Sequence, residues 1–420
     1  VQFLMGKAAA MPPTYITILL LYDMEKVIKP GNVDNVYLAS KPRYEILDGL
    51  RGVAAMLVVA FHLFETYSKG PAFQIINHGY LAVDFFFVLS GFVIGYAYDD
   101  RWDKMSTWMF FKRRLVRLHP MVIMGGFIGM LLFYFGASPS FALIDQTPWW
   151  VVILMFLLGC TMIPAAARLD IRGWAETYPL NGPCWSLMLE YIANIFYALF
   201  IRKLGKIALG ALVGCFAVLT VTLTMNMDPF GLFPEGNYAA YTVIGGWGIT
   251  PDQLYIGFTR LLYPFFCGLL ISRIGKYIQV KRGFWWCSFL IACVLVMPRV
   301  GGTDPDNFWM NGIYEAVCIL IVFPLVVSMG AGSRISGKKS VAICKFLGEI
   351  SYPIYITHYP LVYMQMSWAA RHPDAPQGQH VMVAVSMFIL AVLMAYATLK
   401  LYDEPVREWL KKRLLMPHKK

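Results

Sequence analysis

The chain has 420 residues, 58% apolar and 15% charged, with a mean hydropathy of +0.56. Soluble domains carry roughly 25% charged residues, so a water-soluble globular protein is excluded and a polytopic membrane protein is implied. The formal net charge of +11 would suit nucleic acid, but the basic residues flank apolar segments, which is how membrane topology is written, and no nucleic acid partner is expected.

Residues 1–46 stand apart from the rest. The chain starts with Val1, and the apolar run from Tyr15 to Tyr22 is too short to span a bilayer. It lacks the charged segment, apolar core and small-residue cleavage site of a signal peptide. A poorly ordered N-terminal extension is expected there.

A transmembrane domain is expected over 47–403. Its first two spans read LDGLRGVAAMLVVAFHLFE from Leu47 and HGYLAVDFFFVLSGFVIGYAY from His78. They carry Asp48, Arg51, His62 and Asp84, and ionisable groups within spans face protein interiors or wet cavities. Asp48 and Arg51 lie near a helix end, where a snorkelling anchor is the alternative. His62 lies roughly 22 Å along a core about 30 Å thick, too deep for that.

Further apolar segments lie near 120–138, 148–166, 184–201, 207–225, 256–272, 283–298, 309–330, 350–369 and 381–402. If 148–166 dips in and returns, 29 of the 36 Lys and Arg residues fall on one side, five on the other and two, Arg51 and Arg260, inside spans. A full crossing destroys that asymmetry. The positive-inside rule therefore predicts an all-α polytopic protein of about ten transmembrane helices plus one re-entrant or partial segment at 148–166, both termini cytoplasmic. The basic tail, 404–420, carries VREWLKKRLL and is expected to lie along the inner membrane surface.

The eight cysteines are scattered, and none shares metal-ligand spacing with histidines, so no metal is expected. With this topology His62, Asp84 and Glu190 lie about 6 to 9 Å below the outer surface. Arg260 and Glu315 fall at similar depth, and one shared cavity is expected. Arg113, Arg114 and Arg117 open the third span near Arg51. They suit positive-inside topology, and they equally suit the phosphates of an anionic cytosolic ligand.

Five stretches, DGLRGVAAMLVVAFH (48–62), VDFFFVLSGFVI (83–94), FFKRRLVRLHP (110–120), NGPCWSLMLEY (181–191) and SYPIYITHYPLV (351–362), occur in the order found in the acyltransferase 3 family of polytopic membrane O-acyltransferases. The chain resembles that family over most of its length from residue 45, departing at His119, where the family more often has an aromatic residue. The resemblance implies an enzyme of the bacterial cytoplasmic (inner) membrane. It would move an acyl group, expected to be acetyl, from acyl coenzyme A as co-substrate to a hydroxyl of a carbohydrate or cell-surface glycan, with membrane lipids around it and no permanently bound cofactor.

Such chemistry needs a base for the hydroxyl proton, for which His62 is the candidate. Asp84 or Glu190 is expected to orient its ring, and Arg260 or backbone amides to face the oxyanion. Arg51, Arg113, Arg114 and Arg117 are expected to bind donor. His358 is expected among substrate-binding residues, with a mechanism centred on it as an alternative. A transporter or flippase of an anionic or glycolipid substrate is the alternative from another class.

Overall fold

The computed structural model describes residues 41–68, 70, 73–74, 76–233 and 241–416. Most of the expected N-terminal extension, residues 1–40, lies outside them, as do Lys69 and the last four residues. The described chain is helical, with no strand among the described residues.

The helices in chain order are α1 (Glu45–Glu65), α2 (Ala82–Tyr98), α3 (Thr107–Leu132), α4 (Trp149–Cys160), α5 (Cys184–Leu199), α6 (Lys206–Thr224) and α7 (Pro251–Ile274). There follow α8 (Gly283–Val296), α9 (Phe308–Val317), α10 (Phe323–Gly332), α11 (Lys338–Thr357), α12 (Tyr359–Arg371), α13 (Gln377–Thr398) and α14 (Glu404–Leu414). Among the described residues seven helical stretches are long and apolar enough to cross a membrane, and α4, α5 and α8 are shorter apolar helices. At 1.5 Å per residue, the 12 residues of α4 cover about 18 Å of a core about 30 Å thick. The backbone at Cys160, its last residue, reaches His119, half-way along α3. The chain then returns through 161–183 to start α5.

Three boundaries differ from expectation. The third span starts at Thr107 rather than near 120, so the arginine run is itself helical and Pro120 sits inside the helix. The ninth is one rod, 338–371, broken at His358. The last runs through a π turn, Leu399–Asp403, into α14, whose continuation Leu415 is buried. Polar backbone is the reason in each case: within a bilayer its hydrogen bonds are best kept in a continuing helix.

Prolines free particular carbonyls, and side chains from other helices take them. Pro360 has no N–H for the oxygen of Ile356, which instead accepts from Asn181 Nδ2 at 2.9 Å. Pro324 likewise leaves the oxygen of Leu320 to the Tyr263 hydroxyl, at 2.7 Å beside a π turn over Cys318–Val322. Helices α2 and α7 approach closely because Gly91 and Gly268 face each other's partner backbone. A Cβ on Gly91 would lie 1.9 Å from the Phe265 oxygen, and one on Gly268 2.0 Å from that of Val88.

Candidate active site

His62 and Glu65 lie on one face of the last turn of α1, three residues apart. Nδ1 of His62 is 2.9 Å from Glu65 Oε2. A carboxylate only accepts, so the hydrogen belongs on Nδ1 and Nε2 is left with its lone pair. The ring stacks on His358 at 5.5 Å and meets the edge of Tyr359 at 4.8 Å. The carboxylate beside His62 is therefore Glu65, correcting the expected Asp84 or Glu190. Its signal was present in FHLFE, where i+3 spacing on a helix suffices.

His358 occupies the break between α11 and α12. It is fully buried, and Nδ1 faces the carbonyl oxygens of Tyr355 and Ile354 at 2.9 and 3.0 Å. Both acceptors fix the hydrogen on Nδ1, and Nε2 has no hydrogen-bond partner.

A cavity of about 1570 Å³, its mouth included, runs along α2 from Val93 to Val83; neither histidine lines it, and Tyr355, whose ring centre is 6.1 Å from that of His358, stands between. Ten residues of helix make it about 15 Å deep. Toward the basic end of the bundle its walls carry Arg43, Arg51, Arg114, Arg117 and Arg407. Arg51 donates from Nε to Ser351 at 2.9 Å and from Nη2 to Asp48 at 3.0 Å. Arg114 meets Glu190 at 2.6 Å, and Ser90 donates to the same oxygen at 2.8 Å. Arg113 is not among the described residues that line the cavity, because one residue rotates a helix position by 100°. Arg43 and Arg407 come from sequence-distant segments, and no motif marked them. At the opposite, blind end stand Val83, Phe86, Leu187, Ser186 and Tyr355.

Asp84 and Arg260 form a separate group. Their side chains are 0% and 1% exposed. Arg260 donates from Nη2 to Asp84 at 2.8 Å and to the Tyr80 carbonyl at 2.7 Å, and from Nη1 to the Gly245 carbonyl at 3.1 Å. Glu315 accepts from the Tyr80 hydroxyl, from Asn311 at 2.7 Å and from the Val243 amide at 2.7 Å. The one shared cavity expected for His62, Asp84, Glu190, Arg260 and Glu315 is thus three sites, and Glu190, bonded to Ser90, lies six residues of α2, about 9 Å, nearer the basic end than Asp84. Depth along a helix says nothing of rotation about it.

A fourth cluster sits in the loop before α5. Glu176 accepts from the Tyr363 hydroxyl, and the Arg172 guanidinium lies 3.7 Å from the centre of the Tyr363 ring. Burial pushes the Glu176 carboxyl up to about 7, against the lowering effect of Tyr363 and Arg172.

A model of an acyltransferase domain matches residues 44–400, which contain every group described above apart from Arg43 and Arg407. The chain belongs to the acyltransferase 3 family. It is 25% identical to the O-acetyltransferase OatA of Staphylococcus aureus over 87% of this chain and 58% of that protein. It is 24% identical to the acyltransferase MdmB of Streptomyces mycarofaciens over 76% of this chain and 79% of that one. With Protein 2 in picA locus of Rhizobium radiobacter it shares 32% identity over 37% of this chain and 81% of the other. No solved structure matches the chain.

The structure offers a pair of stacked histidines, the Nε2 of His358 without a hydrogen-bond partner among the described residues, and a cavity walled by guanidinium groups.

Proposed function

We propose that this acyltransferase moves an acetyl group from acetyl coenzyme A to a hydroxyl of a carbohydrate or cell-surface glycan, in a bacterial cytoplasmic membrane whose inner face meets the basic end of the bundle. What supports the proposal is a pair of features: His62, with Glu65 on Nδ1, and a cavity about 15 Å deep, arginine-rich at its mouth, whose far end reaches Tyr355, one ring contact from His358 and two from His62. A pantetheine arm is a chain of that scale, and its diphosphate would meet Arg51, Arg114 and Arg117.

Nε2 of His62 takes the acceptor's hydroxyl proton as its oxygen attacks the thioester carbon. Glu65 stabilises the imidazolium. The tetrahedral intermediate expels the coenzyme thiolate, which receives the proton, leaving an ester and free coenzyme A. Asp84 and Arg260 are assigned to holding the loop at 241–246 against α2 and α7. Glu190 is assigned to pairing Arg114 at the cavity wall while no donor occupies it.

His62→Ala should abolish transfer of radiolabelled acetyl, whereas Glu65→Gln should leave a fraction with an altered pH profile, since the imidazole survives but loses its orienting partner. Full transfer by His62→Ala at normal expression would end this mechanism. The bare, buried Nε2 of His358 favours a second reading in which that ring is the base. Under it His358→Gln, not His62→Ala, is the inactive variant.

A further inference from the structure

The blind end of the cavity holds two hydroxyls among apolar side chains. Ser186 on α5 and Tyr355 on α11 line it with Val83, Phe86 and Leu187. The hydroxyls lie 2.7 Å apart, and Ser186 Oγ is also 3.0 Å from the carbonyl oxygen of Pro183. Serine has one proton. While it points to Pro183, Tyr355 donates to Ser186. When it turns to Tyr355, the phenol proton is released toward the cavity. Phe86 packs edge-on against the Tyr355 ring at 5.4 Å and fixes where that proton is presented.

Tyr355 also lies on the path to the base. Two ring-to-ring steps, 6.1 Å from Tyr355 to His358 and 5.5 Å from His358 to His62, connect them. A thioester carbonyl on the Tyr355 hydroxyl would therefore sit at the end of the cavity nearest the histidine pair.

We infer that the Tyr355 hydroxyl, relayed by Ser186, is the hydrogen-bond donor that holds the donor's thioester carbonyl and receives its oxyanion. Arg260, whose donors are taken by Asp84, Tyr80 and Gly245, is not that group. In the addition step the carbonyl π pair moves onto oxygen, which accepts a stronger bond from Tyr355. The pair returns as the C–S bond breaks, and Tyr355 keeps its proton throughout. This assignment rests on the acyl coenzyme A reading of the cavity.

The test uses the full-length protein in detergent and acetyl coenzyme A carrying ¹³C at the thioester carbonyl. Binding is followed by calorimetry and the carbonyl stretch by infrared difference spectroscopy. In the wild type the bound carbonyl should absorb at lower frequency than the free thioester. In Tyr355→Phe that shift should vanish while affinity stays within about twofold, and turnover should fall on the order of a hundred- to a thousandfold, as when an oxyanion donor is removed. Ser186→Ala should weaken the shift, and Ser186→Thr, which keeps the hydroxyl, should restore it, so the assignment stays testable if Tyr355→Phe fails to fold. An unchanged shift in bound Tyr355→Phe, or equal spectra for Ser186→Ala and Ser186→Thr, overturns it. Absence of acetyl coenzyme A binding by the wild type overturns the donor reading of the cavity itself, and this assignment with it.

Discussion

Arg114–Glu190 and Arg260–Asp84 are both arginine–carboxylate pairs between helices at 2.6 and 2.8 Å, yet their surroundings are opposite. Arg260 spends its fork on Asp84 and two carbonyls, and no water reaches either partner. Arg114 reaches one oxygen of Glu190 from the wall of an open cavity, with Nε unbonded and Arg51 and Arg117 nearby. A closed pair fixes geometry, because removing either partner strands a buried charge. A pair facing a cavity retains donors for something else. What separates a structural from a binding ion pair is whether donor capacity is left over, rather than burial alone.

The largest effect should come from breaking the closed pair. Asp84→Ala strands Arg260 and should cost about 3 to 5 kcal/mol, read as a lowered midpoint of thermal unfolding in detergent. Combining Asp84→Leu with Arg260→Met should recover much of that loss, since the stranded charge goes as well. If Asp84→Ala unfolds like the wild type, the pair is not a clamp.

Arg114→Ala should leave the unfolding midpoint nearly alone and weaken coenzyme A binding by ~1.5 to 3 kcal/mol, on the order of ten- to a hundredfold. Unchanged affinity in a properly inserted variant would return the arginine run to topology. Glu190→Gln sharpens the contrast further. Removing the carboxylate frees Arg114 for phosphate, so coenzyme A should bind as well or a few-fold better, on the order of the worth of one partly exposed ion pair. A hundredfold loss of turnover at unchanged donor affinity would instead give Glu190 a part in the chemistry.

The smallest effect concerns Glu176, whose carboxyl is neither clamped by a full ion pair nor open to a cavity. Its value rises from 4.5 to about 7 on folding, so the folded protein holds a proton that the unfolded chain loses between those limits. Stability from this group is complete below pH 4.5 and falls as pH rises toward 7. Glu176→Gln should flatten that slope, seen as a smaller difference between unfolding midpoints at pH 5 and pH 8. An identical difference in both proteins would mean that Glu176 is ionised throughout.

Membrane character and the all-helical class were determined by the sequence alone, because the cost of placing charge or unpaired backbone in hydrocarbon acts on each segment locally. The same cost marked His62, Asp84, Glu190 and Arg260 as residues needing partners. The positive-inside rule picked out 148–166 as a partial segment, since a full crossing there would move 18 of the 29 basic residues to the other side. Which partners they find was decided only by tertiary structure. Asp84 and Glu190 point from α2 and α5 toward different arginines, and Arg113 and Arg114 differ by one residue yet only Arg114 lines the cavity. Helix rotation and neighbours are set by close contacts such as Gly91 on Phe265 and Gly268 on Val88, made between residues far apart in the chain. Glu65 is the exception: its bond to His62 is local and was legible at i+3. The Ser186–Tyr355 pair is the opposite case, 169 residues apart, and it exists only because the break at His358 and the return of the chain after α4 bring α11 and α5 to the same end of one cavity.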